Sequence, residues 1–145
     1  MTIEATVYKL LSGDKEFNKL LDTIRGGEFG NGYKQGIFTY AIPENPVNII
    51  KPNLAPFVRI NPNYEVPVIY ADDDNCATEY RVTINFWCQT GAQSEQVAHK
   101  MDEILKRNGF ERYTANEKPR YRDGDINLLT NIRKYRFFDW KKERE

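Results

Sequence analysis

The segment Glu79–Gln89, EYRVTINFWCQ, decides how this chain folds. Tyr80, Val82, Ile84, Phe86 and Cys88 alternate with Arg81, Thr83, Asn85, Trp87 and Gln89. That period of two, rich in β-branched and aromatic residues, marks a strand whose successive side chains point to opposite faces. One face is committed to a core. The other is diluted by polar residues yet carries Trp87, a large apolar side chain. Parity therefore places Trp87 opposite Phe86, against another subunit or against the long stretch Pro43–Pro67. The strand leads into a helix over Ser94–Asn108. Ser94 is expected to cap it, and Glu95 lies in its positive first turn. Val97, Met101, Ile104 and Leu105 form its buried stripe, Asn108-Gly109 closes it, and Phe110 packs back.

Toward the N-terminus, Ile3, Val7, Leu10 and Leu11 recur at helical spacing up to Ser12-Gly13. Asp14 can cap a second helix that carries Phe17, Leu20, Leu21 and Ile24 on one face and stops at Gly26-Gly27. Residues 1–25 thus form a helical part. Ile37–Ile42 reads as a short strand ending at Pro43. Six of the seven prolines lie in Pro43–Pro67. Proline cannot donate to a ladder, so this stretch is read as edge strands and loops, with Phe57–Ile60 its best extended piece. Val68–Ala71 is another short strand, and Asp72-Asp73-Asp74-Asn75 turns the chain in a hairpin.

Beyond the Ser94 helix, Phe110–Tyr113 starts a strand, and Thr114–Asp125 is polar with turn signals. Leu128–Phe138 is the last long strand, but Leu129, Tyr135 and Phe137 share one parity while Leu128, Ile132 and Phe138 share the other. A β-bulge near Arg133 would reconcile them, as would two exposed apolar faces. The order of elements is α+β: one domain over 1–145, with a mostly antiparallel sheet in 37–138, helices (including 94–108) on one face, and a charged tail over 139–145.

Composition narrows the partners. Hydrophobic content of 40% supports a core, and 21 basic against 21 acidic residues give no bulk charge toward nucleic acid or membrane. Two cysteines, Cys76 and Cys88, are too few for a disulfide framework; Cys88 falls on the apolar face, and a bridge between the two stays open. With no secretory leader and no run near ~20 apolar residues, a soluble cytoplasmic protein without membrane contact is expected.

Chemistry finds little purchase. His99 is the single histidine and lies off the buried stripe of its helix. Asp72, Asp73, Asp74 and Glu79, and separately Asp123-Gly124-Asp125, lack the calcium-loop pattern; turn chemistry accounts for them, with metal binding a weak alternative. Gly26–Gly32 lacks the lysine–serine pair of a phosphate loop, and Ser12 and Ser94 have no accompanying base. No enzyme activity and no cofactor are expected. The most suggestive charge is local: Lys118, Arg120, Arg122, Arg133, Lys134 and Arg136 against Asp123 and Asp125, interleaved with Tyr121 and Tyr135. Basic and aromatic residues together suit single-stranded nucleic acid; a solvated hairpin with charged edge protection is the plainer reading.

Several pieces in order resemble the small tail-completion, tail-terminator or head–tail joining proteins of long-tailed bacteriophages. They are Val7-Tyr8-Lys9-Leu10-Leu11 with Leu20-Leu21 after it, Gly36-Ile37-Phe38, Ala41-Ile42-Pro43-Glu44-Asn45 and Pro56-Phe57-Val58-Arg59-Ile60. The strand Tyr80–Trp87, the helix ending Asn108-Gly109-Phe110, and Arg133-Lys134-Tyr135-Arg136-Phe137 complete the series, which spans nearly the whole chain. The resemblance implies a small α+β virion subunit without enzymatic activity, made in the host cytoplasm. It implies a ring of this chain with itself, commonly a hexamer, that ends the tail tube, meets the tail tube protein and docks to a head connector or adaptor protein. Trp87, Arg133, Lys134, Tyr135, Arg136 and Phe137 then become candidate ring contacts. Lys118, Arg120 and Arg122 become candidates for facing a lumen through which DNA passes as cargo. Ring closure needs two different surfaces, and the Leu128–Phe138 strand on one side and Ile37–Ile42 with Phe57–Ile60 on the other are the expected edges.

Overall fold

The computed structural model describes residues 1–30, 35–44, 48–71, 74–113 and 119–140, with backbone alone for 68–71 and 74–76. Two N-terminal helices form as their caps dictate. The Thr2 side chain accepts from the Ala5 N–H to open α1 (Ile3–Ser12), and Asp14 Oδ1 accepts from the Phe17 N–H at 2.8 Å to open α2 (Lys15–Arg25). Gly26 ends α2 at φ 84°, a left-handed conformation that glycine adopts without a Cβ clash.

Among the described residues the strands are β1 (Ile37–Thr39), β2 (Phe57–Ala71), β3 (Asp74–Cys88), β4 (Glu111–Arg112), β5 (Arg120–Asp123) and β6 (Leu128–Trp140). They form one sheet in the order β1-β2-β3-β6-β4, with β5 also on β6. Only β1–β2 is parallel. Helix α3 (Gly91–Arg107) connects β3 to β4. The fold is α+β, as the sequence implies.

Four expectations change. The central helix starts at Gly91, capped by Thr90, whose side chain accepts from the Gln93 N–H at 3.2 Å; Ser94 is instead a buried interior residue donating to the Thr90 carbonyl. The first strand stops at Thr39, three residues short of Ile42, because Tyr40 turns to φ 69°. The proline-rich stretch contributes most of a 15-residue strand. Pro62 and Pro67 are tolerated because β1 pairs only with Val58–Ile60, leaving the rest of that edge of β2 without a strand among the described residues, and because the register shifts beside each proline. Finally, β6 needs no bulge: its register with β3 runs without a break from Cys88↔Leu129 to Ala77↔Trp140. Its two apolar parities reflect a strand inside the sheet, covered on both faces at different points along its length. The proposed turn residues Asp72 and Asp73 lie outside the described residues.

The helix-facing side holds the larger core. Ile3, Val7 and Leu11 of α1, Phe17 and Leu21 of α2, and Val97, Met101, Ile104 and Leu105 of α3 close over Val58, Ile60, Val82, Ile84, Phe86 and Tyr135. On the opposite side, at one end, a second cluster gathers Phe29, Phe38, Ile42, Ile49, Ala55, Phe57, Trp87 and Leu128. Arg25 bolts this irregular layer to α2: its buried guanidinium donates to the Leu54 carbonyl (2.9 Å), the Pro56 carbonyl (2.5 Å) and Asp22 (2.9 Å). Burial pushes its pKa down and Asp22 partly restores it.

Candidate functional site

The alternation of β3 sets the two faces, and Phe86 and Trp87 lie in different clusters. Trp87 is opposite Phe57 in the register, with ring centroids 5.3 Å apart, beneath Ile49 and Ala55. It is 8% exposed, so the Pro43–Pro67 stretch of its own chain covers it. The Arg59 guanidinium lies 5.3 Å from its ring and donates to Asn85 Oδ1 at 3.2 Å.

Along the same face, next to this cluster, the middle of the sheet is polar. Arg81 lies between the rings of Tyr64 (4.2 Å) and Tyr113 (5.0 Å) and pairs with Glu79 at 2.6 Å. Asn63 Nδ2 donates to the Tyr113 hydroxyl at 3.2 Å, so Tyr113 reaches across the sheet toward β2. Lys134 and Arg136 share this face, opposite Thr83 and Arg81; Arg136 pairs with Glu111 at 3.1 Å. The Arg81 site escaped the sequence reading because only the strand register brings Tyr64 and Tyr113 to it; parity alone could place Arg81 on the polar face.

Arg133, Tyr135 and Phe137 belong to the helix-facing side. Tyr135 is buried and its hydroxyl donates to Asp102 Oδ1 of α3, while Arg112 pairs with Asp102 at 3.3 Å. Burial, then the Asp102 hydrogen bond, pushes the tyrosine pKa up. Phe137 stacks on Phe110 at 4.8 Å. Arg133 is 7% exposed; its Nη1 donates to the Pro119 and Ile132 carbonyls, its guanidinium lies 5.6 Å from the Phe86 ring, and its Nε has no hydrogen-bond partner. Burial lowers its pKa, and Arg112 and Arg120 are near enough to add repulsion. Arg120 and Arg122 are exposed on β5, with Arg122 bonded to Asn127. Lys118 lies outside the described residues.

The structure therefore divides the basic run that the sequence presents as continuous. A strand sends Arg133 and Lys134 to opposite faces. Of the six candidate contact residues, Trp87, Arg133 and Tyr135 are interior to the single chain, and Lys134, Arg136 and Phe137 are half-buried. Nor does Leu128–Phe138 offer an open edge: β3 pairs along one side, while β5 and β4 take parts of the other.

Other chemistry is equally restrained. The free Cys88 thiol is buried, and burial pushes its pKa up to about 12, away from nucleophilic use; the Cys76 side chain lies outside the described residues. His99 is exposed on α3. Asp123 Oδ1 accepts from the Asp125 N–H at 3.1 Å, a local turn contact. Among the described residues, no three His, Cys, Asp or Glu side chains gather to hold a metal ion, and no helix is long and apolar enough to cross a membrane.

No family model matches the chain, and no curated protein matches its sequence. A solved structure of the gp17 protein of bacteriophage SPP1 is similar in fold. It aligns over 97% of this chain and 90% of its own with a TM-score of 0.50, at 12% sequence identity.

Proposed function

We propose that this chain is a structural protein of a bacteriophage or prophage virion, a tail-completion subunit. It forms a ring, a hexamer in this reading, that ends the tail tube and docks it to the head connector, DNA passing only as cargo. The observation that carries the reading is the fold shared with the SPP1 gp17 protein over nearly the whole of both chains. The ordered sequence pieces from Val7-Tyr8-Lys9 to Arg133–Phe137 supply independent support for the tail-completion role. The half-buried aromatic and charged side chains of the sheet suit contact with protein neighbours. The reading includes no catalytic role, and its partners are further copies of the chain, the tail tube protein and a head-side adaptor.

Deletion of the gene from its phage tests it. Tails are expected to lose length control or fail to join heads, and a ring of this subunit is expected at one end of normal tails. Normal-length tails that join heads without the protein would sink the proposal.

A further inference from the structure

Among the described residues, the longest uncovered edge of the sheet belongs to β2 beyond Ile60. β1 covers β2 only at Val58–Ile60. The other edge strands are short: β1 has three residues, β4 two and β5 four. On the uncovered length Pro62, Asn63, Glu65, Val66 and Pro67 are all exposed. A long exposed edge is a template on which another chain can add a strand.

The hydrogen bonds to β1 fix which way each β2 residue points. The Val58 N–H donates to the Gly36 carbonyl, and the Ile60 carbonyl accepts from the Tyr40 N–H. Val58 and Ile60 therefore turn their polar groups outward, and they stand opposite Phe86 and Ile84 of β3. In an antiparallel pair, bonded and non-bonded positions alternate, so β2 residues opposite the even-numbered residues of β3 all point outward. Past Ile60 these are Pro62 opposite Val82, Glu65 opposite Tyr80 and Pro67 opposite Thr78. Asn63 is the extra residue of a bulge, and the alternation survives it because β3 runs on without one. Two of three successive outward positions thus have no N–H to offer, and the third, Glu65, carries a carboxylate. The N–H groups of Asn61, Tyr64 and Val66 point to β3, where a proline would break the ladder. The placement that spares that ladder also removes the donors a further strand would need.

We propose that Pro62 and Pro67, with the bulge at Asn63 between them, close the β2 edge to sheet extension by a second copy of the chain. The device directs contact between copies away from this edge. It goes beyond the tail reading and does not depend on it.

The test restores the donors in the full chain. Pro62→Ala with Pro67→Ala returns both N–H groups and adds no side chain that favours strands. With the fold retained by circular dichroism, the double variant should self-associate on the order of a hundredfold more tightly than wild type in sedimentation, since an edge-to-edge pair recovers hydrogen bonds on both copies. Hydrogen exchange should then show new protection at positions 62, 65 and 67. Association no tighter than wild type, or new protection confined to other elements, would overturn the proposal. A measurement on the wild-type chain keeps the test open should the variant fold poorly. At high protein concentration the Glu65 amide should exchange fast, while those of Tyr64 and Val66, directed at β3, stay protected. A Glu65 amide that gains protection as concentration rises would show the edge in use and overturn the proposal as well.

Discussion

Trp87 and Phe86 are neighbours in sequence and belong to separate cores, so each reports on a different layer. Truncating Trp87 removes the ring that meets Phe57 and supports Arg59. Trp87→Ala is expected to cost about 3–5 kcal/mol, the range for emptying a buried aromatic site. Urea unfolding measures it, and a loss under ~1 kcal/mol would show that the layer over this face contributes little. Glu4 gives a residue-scale prediction in pH. It is buried and accepts a hydrogen bond from Tyr40 Oη. Burial alone would raise its pKa, but the bonds from Tyr40, its own backbone and Thr2 outweigh that and leave it lowered. A carboxyl with a depressed folded-state pKa contributes stability that is present above its unfolded pKa and is lost as pH falls through the folded one. Wild-type stability should therefore decline in acid more steeply than that of Tyr40→Phe, and equal pH slopes would refute the coupling. Parity made the Phe86/Trp87 division legible. Glu4–Tyr40, separated by 36 positions, was not, because no local pattern signals which exposed tyrosine meets which acid.

At the scale of elements, local chemistry sufficed where a signal sat next to its effect. Asp14, Gly26 and the Asn108-Gly109-Phe110 stop act within one helical turn. Phe110 N–H bonds to the Leu105 carbonyl at 2.9 Å, and Phe110 enters the core. The start of α3 misled because Thr90 and Ser94 are both good caps. Thr90 wins because β3 ends at Cys88, and Ser94 is drawn inward, where its hydroxyl accepts from Asn131 Nδ2 at 2.9 Å. Thr90→Ala is expected to destabilise by about 1 kcal/mol through loss of the cap. Ser94→Ala acts otherwise, by weakening the support of Asn131 beneath the helix. Thermal unfolding of both, with helix content by circular dichroism, separates the two roles; a Thr90→Ala protein as stable as wild type would place the cap elsewhere. The length of β2 was illegible because prolines read as breaks, and only the sheet order reveals that they fall on the side of β2 that β1 leaves uncovered.

At the scale of the molecule, sheet order was the hidden variable. Sequence yields strands and their faces. It does not reveal that β6 inserts between β3 and β4, since that pairing joins residues some fifty positions apart with no local cost or gain to betray it. The same arrangement sets what a DNA-binding measurement on the free protein should read. A protein that neutralises Z phosphates loses affinity with salt at a logarithmic slope of about −0.9Z on duplex DNA. Were Lys118, Arg120, Arg122, Arg133, Lys134 and Arg136 one surface, a slope near −5 would follow, at about −0.9 for each of six cations. The strands forbid that among the described members. Arg133 is buried, Arg136 is held by Glu111, and Lys134 faces away from the side to which β6 sends Arg133. Arg120 and Arg122 remain exposed together on β5. The free protein should therefore bind DNA weakly, with a slope of about −2 that falls toward −1 in Arg120→Ala or Arg122→Ala and hardly changes in Lys134→Ala. Fluorescence anisotropy across a salt series reads all four proteins. A slope near −5, or a Lys134→Ala variant that loses as much as Arg120→Ala, would mean that the two faces act on the same DNA and would restore nucleic-acid binding as the main activity of the chain.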